Sequence, residues 1–335
     1  SSKITESNTE IFVTNLEVPW SIAFTSNERV LVNERPGRMR VITGGKLQDE
    51  PIKTFSEVSS GSEEGLMGLT LDPEYASNKF IYVSFAYEKD GDLRVKVVRY
   101  KDNGNSLTEE TTIFDNIPAA RFHAGCRIKF GPDKKLYITT GDAGERKFAQ
   151  DLDKLHGKIL RINPDGTIPA DNPFANSPVW VAGTDIMWQT EHGPSGFDGP
   201  GGGDEVNVIV KGKNYGWPEI SHLDSKEGMV SPVLVFTPAE APASGLVYKS
   251  GKLAEFKDTF LFGGLRGNGI MVVKIDPNDK SKALSFTKIA AEYGRIRDIT
   301  EGPDGFIYFS SSNKDGRGSP KSGDDKIYRI VHSKN

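Results

Sequence analysis

One unit recurs along this chain: an apolar-x-Phe or apolar-x-Leu step, a tight turn of Asp, Pro and Gly, then an alternating apolar strand. It reads SIAFTSNERVLVNE from Ser21, GLTLDPEYASNKFIYVSF from Gly68, IKFGPDKKLYITTGD from Ile128 and DITEGPDGFIYFSSS from Asp298. A degenerate version, SGLVYKSGKLAEFKDTFLFGG, starts at Ser244, and TDIMWQTEHGP from Thr184 supplies the second half of another. Six units in 335 residues, roughly 45 to 60 residues apart, match the period of a four-stranded propeller blade. The turn residues each have a reason: proline presets φ, aspartate bonds its own backbone, and glycine accepts positive φ. Helical periodicity is nearly absent. The expected fold is therefore all-β, a six-bladed β-propeller of four-stranded antiparallel blades forming one domain over residues 1–335. A sandwich or barrel would share the strands and turns but not the recurrence of the whole unit. The strand at 325–331, DKIYRIV, is expected to join the first blade and close the ring, leaving no open sheet edge.

Composition narrows the partners. The formal net charge is −4 with no dense lysine or arginine run, which argues against nucleic acid and anionic membrane surfaces and leaves small molecules. Apolar runs such as Ile11–Val13 and Phe306–Phe309 fall far short of the roughly 20 residues that span a bilayer, so no membrane span is expected. The single cysteine, Cys126, forbids an internal disulfide. The chain opens Ser-Ser-Lys without an initiator methionine, as a processed exported product or an otherwise trimmed chain would, which leaves a removed leader open.

The polar residues that interrupt the repeat lie next to blade units: Glu63, His123, Asp142, the Glu191-His192-Gly193-Pro194 turn, Arg266, and the Arg295-Ile296-Arg297 pair. A histidine with an acid beside it is a general-base arrangement, because the carboxylate fixes the tautomer and stabilises the imidazolium. A histidine ahead of a β-hairpin is more often structural, and a strand-end arginine is more often solvated. What singles these out is that they all fall at blade edges.

Seven motifs then occur in one order: VPWSIAF, GLMGLTLDPEY, HAGCRIKFGPDKKLYITTGDAG, HGKILRINPDG, EHGPSG, GGDEVNVIVKGKNYGWP and GRIRDITEGPDG. Together they resemble the soluble pyrroloquinoline quinone (PQQ) dependent glucose and aldose sugar dehydrogenases, over nearly the whole chain. The resemblance implies a six-bladed propeller that oxidises the anomeric carbon of aldose sugars to lactones and passes electrons to an external acceptor. It implies His123 as the base, Asp142 as the acid that orients it, and Glu63, Arg266, Arg295 and Arg297 at the cofactor. It also implies Ca2+, with the carbonyls of Gly193 and Pro194 at the PQQ-bound ion and a separate structural ion at Glu205 and the Tyr215 carbonyl. A periplasmic or secreted location and a monomer or homodimer are implied in the same way. Only Ser221–Ala243 separates the NYGWP turn from the next blade, so a broad aldose specificity is expected.

This chain departs from the family pattern in three places. Glu63 stands where a glutamine is usual, bringing a negative charge near an anionic cofactor, so it must be protonated, displaced or paired. Cys126 stands in a Gly-Gly step, where packing is the expected role. Between Trp180 and Thr184 only Val-Ala-Gly remains, which would remove the first half of the fourth blade unit and an arginine-asparagine pair at PQQ. The rival readings are a sugar-binding propeller that has lost PQQ, favoured by Glu63 and that gap, and a calcium-dependent propeller lactonase, which the arginines argue against.

Overall fold

The computed structural model describes residues 9–180, 186–196, 199 and 201–331. It is almost entirely β-structure. The first strand, β1 (Thr9–Val13), belongs to the last sheet. The first sheet contains β2 (Pro19–Phe24), β3 (Arg29–Glu34) and β4 (Arg38–Thr43), edged by the two-residue strands β5 (Lys46–Leu47) and β6 (Lys53–Thr54). The second is β7 (Leu66–Leu71), β8 (Phe80–Lys89), β9 (Asp92–Asp102) and β10 (Leu107–Pro118). The third is β11 (Gly125–Phe130), β12 (Leu136–Thr140), β13 (Ile159–Ile162) and β14 (Val179–Trp180).

The fourth sheet is β15 (Met187–Glu191), β16 (Asp204–Ile209) and β17 (Leu234–Phe236). The fifth is β18 (Pro242–Val247), β19 (Thr259–Gly264), β20 (Ile270–Ile275) and β21 (Ala283–Ile289). The sixth is β22 (Ile296–Glu301), β23 (Ile307–Ser311) and β24 (Ile327–Ile330), completed by β1. These six antiparallel sheets are the blades of a six-bladed β-propeller. The chain divides into two compact units, Trp20–Thr25 with Arg29–Val181, and Ser1–Pro19 with Ser26–Glu28 and Ala182–Asn335.

The repeated turn has the same physical basis in three blades. Asp133 accepts the Lys135 N–H (3.1 Å) and the Tyr137 hydroxyl (2.9 Å). Asp304 accepts the Phe306 N–H (3.1 Å) and the Tyr308 hydroxyl (2.8 Å). Asp72 accepts the Glu74 N–H (2.8 Å) and the Tyr82 hydroxyl (3.0 Å). One carboxylate thus closes the turn and ties it to the returning strand. Glycine two residues before Asp133 and Asp304 gives the ring room: a Cβ on Gly131 would lie 2.6 Å from Tyr137, and one on Gly302 2.5 Å from Tyr308.

Packing is sheet on sheet. In one unit, Leu31, Met39 and Phe55 of the first blade meet Leu66, Phe85 and Tyr100 of the second. Met67, Tyr82 and Val97 of that blade meet Ile128, Ile138 and Leu160 of the third. In the other unit, Leu261, Ile270 and Val272 of the fifth blade meet Ile299, Ile307 and Phe309 of the sixth.

Two expectations need revision. The C-terminal strand does not join the first blade: β24 pairs with β23 inside the last sheet, and the N-terminal strand β1 pairs onto its other edge. The alternating pattern identifies DKIYRIV as a strand, but pairing partners follow from connectivity, and β24 lies one reversal from β23. The segment from Thr184 is not the second half of its unit either: β15 stands at the edge of the fourth sheet, the place that the first strands β7, β11, β18 and β22 hold in theirs, and the described residues show three strands there. The shortened stretch expected after Trp180 falls on residues 181–185, outside the described residues. Beside it, Ile186 is 46% exposed and the β15 side chains are only half-buried.

The join between β1 and β24 is reinforced by Asp325, fully buried. Its carboxylate accepts the N–H groups of Val18 (2.9 Å), Asn313 (2.6 Å) and Lys314 (3.4 Å), and its main chain exchanges two hydrogen bonds with Leu16. Asp325→Ala is expected to lower stability by about 3 kcal/mol, roughly one for each buried donor left without an acceptor, read from denaturant unfolding midpoints.

Candidate functional site

The residues singled out from sequence fall into two groups, one in each compact unit. In the first, β12 ends at Thr140, and Asp142 follows one residue after Gly141. Asp142 is 7% exposed, and its Oδ1 lies 2.9 Å from His123 Nδ1 while accepting the Gly144 N–H at 2.9 Å. An acceptor at Nδ1 places the proton there and leaves Nε2 as the basic nitrogen. The approach of the two segments demands glycine at 141, where a Cβ would sit 1.7 Å from the His123 carbonyl oxygen. His123 itself has a positive φ of 54°, a conformation its surroundings must hold.

Part of that hold comes from Glu63. Its Oε2 accepts the His123 main-chain N–H at 2.9 Å, and its own N–H donates to the Arg121 carbonyl at 2.9 Å. Of the three fates open to a carboxylate here, the structure therefore shows pairing, with a main-chain donor. Phe122, 42% exposed, meets the imidazole edge-to-face at 5.1 Å. Cys126 is fully buried, and burial pushes its thiol up to about 12, so it packs rather than reacts.

In the second group, Arg295 just ahead of β22 and Arg297 at the register shift within it flank Ile296, which is fully buried. Both guanidiniums reach the same carboxylate oxygen: Arg295 Nε lies 2.8 Å and Arg297 Nη2 3.1 Å from Asp315 Oδ2. Arg295 also donates to the Leu265 carbonyl (2.9 Å), and Arg297 to Ser312 Oγ (3.2 Å). Burial would raise the Asp315 carboxyl, but the two arginines override it and hold it below the usual carboxylate range. Both cations share this one carboxylate oxygen, with side chains at most 14% exposed. Arg266 is exposed, directly after the Leu265 carbonyl that Arg295 holds.

Asp315 and Ser312 were not anticipated from sequence. The available signal was indirect: an Arg-x-Arg pair needs a counter-ion, and Asp315 is the acid in the SSSNKDGRG turn after β23.

The oxygen-donor residues occupy the same unit as the arginines. The Gly193 N–H donates to Asp204 Oδ1 (2.8 Å), which pins the turn carrying Gly193 and Pro194; the other Asp204 oxygen accepts the Ala241 N–H (2.7 Å). Glu205 faces Glu191 across the β15–β16 ladder, and both carboxylates receive the Asn207 amide, at 3.2 and 3.4 Å. Burial pushes the Glu205 carboxyl up to about 7, with the Asn207 hydrogen bond opposing and Asp204 adding to the rise. The Asn207 Oδ1 is buried without a hydrogen-bond partner among the described residues. This is hard-oxygen chemistry that suits a cation such as calcium. Tyr215 lies elsewhere: its hydroxyl donates to the Val208 carbonyl and accepts the Val210 N–H, both at 2.7 Å, at the far end of β16. Among the described residues, no three His, Cys, Asp or Glu side chains converge as a metal site.

Comparison with known proteins agrees with this picture. The profile of a family described as glucose/sorbosone dehydrogenase matches residues 16–329. The chain is 30% identical to the aldose sugar dehydrogenase YliI of Escherichia coli, over 92% of this chain and 91% of that protein. Its fold superposes on an oxidoreductase (glucose dehydrogenase) structure from Thermus thermophilus with a TM-score of 0.87, at 34% identity, covering 96% and 99% of the two chains. The PQQ-bound aldose sugar dehydrogenase of Streptomyces coelicolor gives a TM-score of 0.83 at 30% identity, covering 96% and 97%. With its repeat, its six blades and a family match across nearly its whole length, the chain belongs to the glucose/sorbosone dehydrogenase family.

Proposed function

We propose that this protein is a PQQ-dependent aldose sugar dehydrogenase that oxidises the anomeric C1–OH of sugars to the lactone and hands the electrons to an external acceptor. The observation that carries the reading is the His123–Asp142 pair: a half-buried imidazole whose Nδ1 is held by a buried carboxylate, so that Nε2 is set up to take a proton. PQQ, when bound, supplies the two-electron acceptor for the C1 hydride, and a calcium ion at the Gly193 and Pro194 carbonyls would polarise its quinone oxygens.

The chain's own residues do the rest. His123 accepts the C1 hydroxyl proton at Nε2, and Asp142 stabilises the imidazolium that forms. Glu63 holds the His123 main chain in its positive-φ conformation. Arg295 and Arg297, with Arg266 as a third cation, are the proposed partners of the three PQQ carboxylates, because the two guanidinium planes are already fixed by Asp315 and Leu265. Glu205 is the proposed carboxylate ligand of a structural calcium; Tyr215, held at the far end of β16, is left out of that ligand set. An exported location belongs to the same proposal.

Three outcomes are expected. His123→Ala should bind PQQ within a few-fold of the parent yet lose about 10²- to 10⁴-fold in kcat, followed by dye reduction with several aldoses; parent protein with bound PQQ that reduces no dye with any aldose would refute the function. Asp315→Asn leaves two buried guanidiniums without their anion and should cost about 3–5 kcal/mol at neutral pH. Because the Asp315 carboxyl is lowered in the fold, its contribution is present above the unfolded value near 4 and is lost as pH falls through the folded value, so the deficit of the variant in urea titrations should shrink on acidification. Glu63→Gln keeps an acceptor for the His123 N–H while removing a charge, and should tighten PQQ binding by about fivefold in a fluorescence-quenching titration.

A further inference from the structure

Behind Asp142 lies a buried ammonium group that the proposed chemistry does not use. Lys158, next to β13, is 9% exposed, and its Nζ donates to three main-chain carbonyls: Phe148 (3.1 Å), Ala149 (2.6 Å) and His156 (2.8 Å). An ammonium has three N–H donors, and here each has one acceptor. Removal from water pushes this group down to about 8, with Asp151 pulling the other way. A buried charge of this kind is costly unless its surroundings are held to fit it, so the three carbonyls and the lysine fix one another.

Those carbonyls belong to the loop over residues 143–157, which follows Asp142, two residues past the end of β12, and returns at Lys158, just ahead of β13. A continuous run of hydrogen bonds connects its two ends. Lys158 Nζ donates to the Phe148 carbonyl, the Phe148 N–H donates to the Glu145 carbonyl (2.9 Å), and the Glu145 N–H donates to the Asp142 carbonyl (2.8 Å). On the β12 side, Thr140 Oγ1 donates to the Leu155 carbonyl (2.6 Å), and the Gly157 N–H to the Gly141 carbonyl (2.9 Å). The main chain that aims the Asp142 carboxylate at His123 is therefore set by the fold of this loop, and Lys158 holds three of the loop's carbonyls at once.

We infer that Lys158 is a positioning residue: by fastening the 143–157 loop, it fixes the Asp142 carboxylate against His123 Nδ1 and so determines the tautomer of the imidazole. The inference rests on His123 being the base, and its test has an arm independent of that role. Lys158→Met and Lys158→Gln remove the ammonium, and Lys158→Arg retains the charge and donors. With PQQ and calcium bound, the first two should lose about 10²-fold in kcat while the sugar KM and PQQ affinity change little, since a displacement of about 1 Å in a catalytic group costs that much. Lys158→Arg should recover a large part of the loss. In the cofactor-free protein, 15N NMR of the His123 ring should show a protonated Nδ1 in the parent and a mixture of tautomers in Lys158→Met and Lys158→Gln. If either soluble variant keeps parental kcat, or keeps the parental His123 ring spectrum, the inference is overturned. A parent that turns over no sugar would overturn the dehydrogenase reading alone, because the NMR arm needs no turnover.

Discussion

A sheet edge is a row of main-chain amides with no partners, and the last blade exists because the two ends of the chain satisfy each other's edge. Three of its strands come from the C-terminal stretch, and the fourth, β1, arrives from the N-terminus to pair with β24. Ladder bonds alone would leave the entry of β1 free to fray. Asp325 prevents this by binding donors on both sides of the join, Val18 from the N-terminal segment and Asn313 and Lys314 from the loop after β23. That loop also carries Ser312 and Asp315, so the clasp at the chain ends and the seat of the arginine pair are parts of one short segment.

Three buried aspartates illustrate how one side chain takes different roles from its neighbours. Asp325 faces main-chain N–H groups and is structural. Asp315 faces two guanidiniums and serves as their shared counter-ion. Asp142 faces an imidazole and one main-chain N–H, which makes it the only one of the three whose partner can change protonation near neutral pH.

Much of this was legible in the sequence. The repeat located strands in all six blades, because period-two alternation and Asp-Pro-Gly turns are local properties. The His123–Asp142 pair was legible too, since both residues flank one hairpin. What the sequence did not disclose was long-range. No periodic signal ties Asp315 to Arg295, 20 residues earlier in a different element. The partner of β24 depends on which of two blade edges lies closer along the fold, and a strand pattern is silent on that. Glu63 looked like a misplaced charge because its partner is a main-chain N–H, which composition never reveals. In the fourth blade the repeat located a strand but gave it the wrong rank: β15 stands where the first strand of a blade stands, because a lone apolar run says nothing of its place in the sheet.

The packing around Cys126 has a practical side. Its side chain is fully buried among core residues of neighbouring sheets, and its thiol stays protonated far above neutral pH. To a solvent-borne thiol reagent the folded protein is cysteine-free. A cysteine introduced on any exposed loop would therefore be the sole reactive one, so a spin label or fluorophore can be attached at a chosen place with the native residue left untouched.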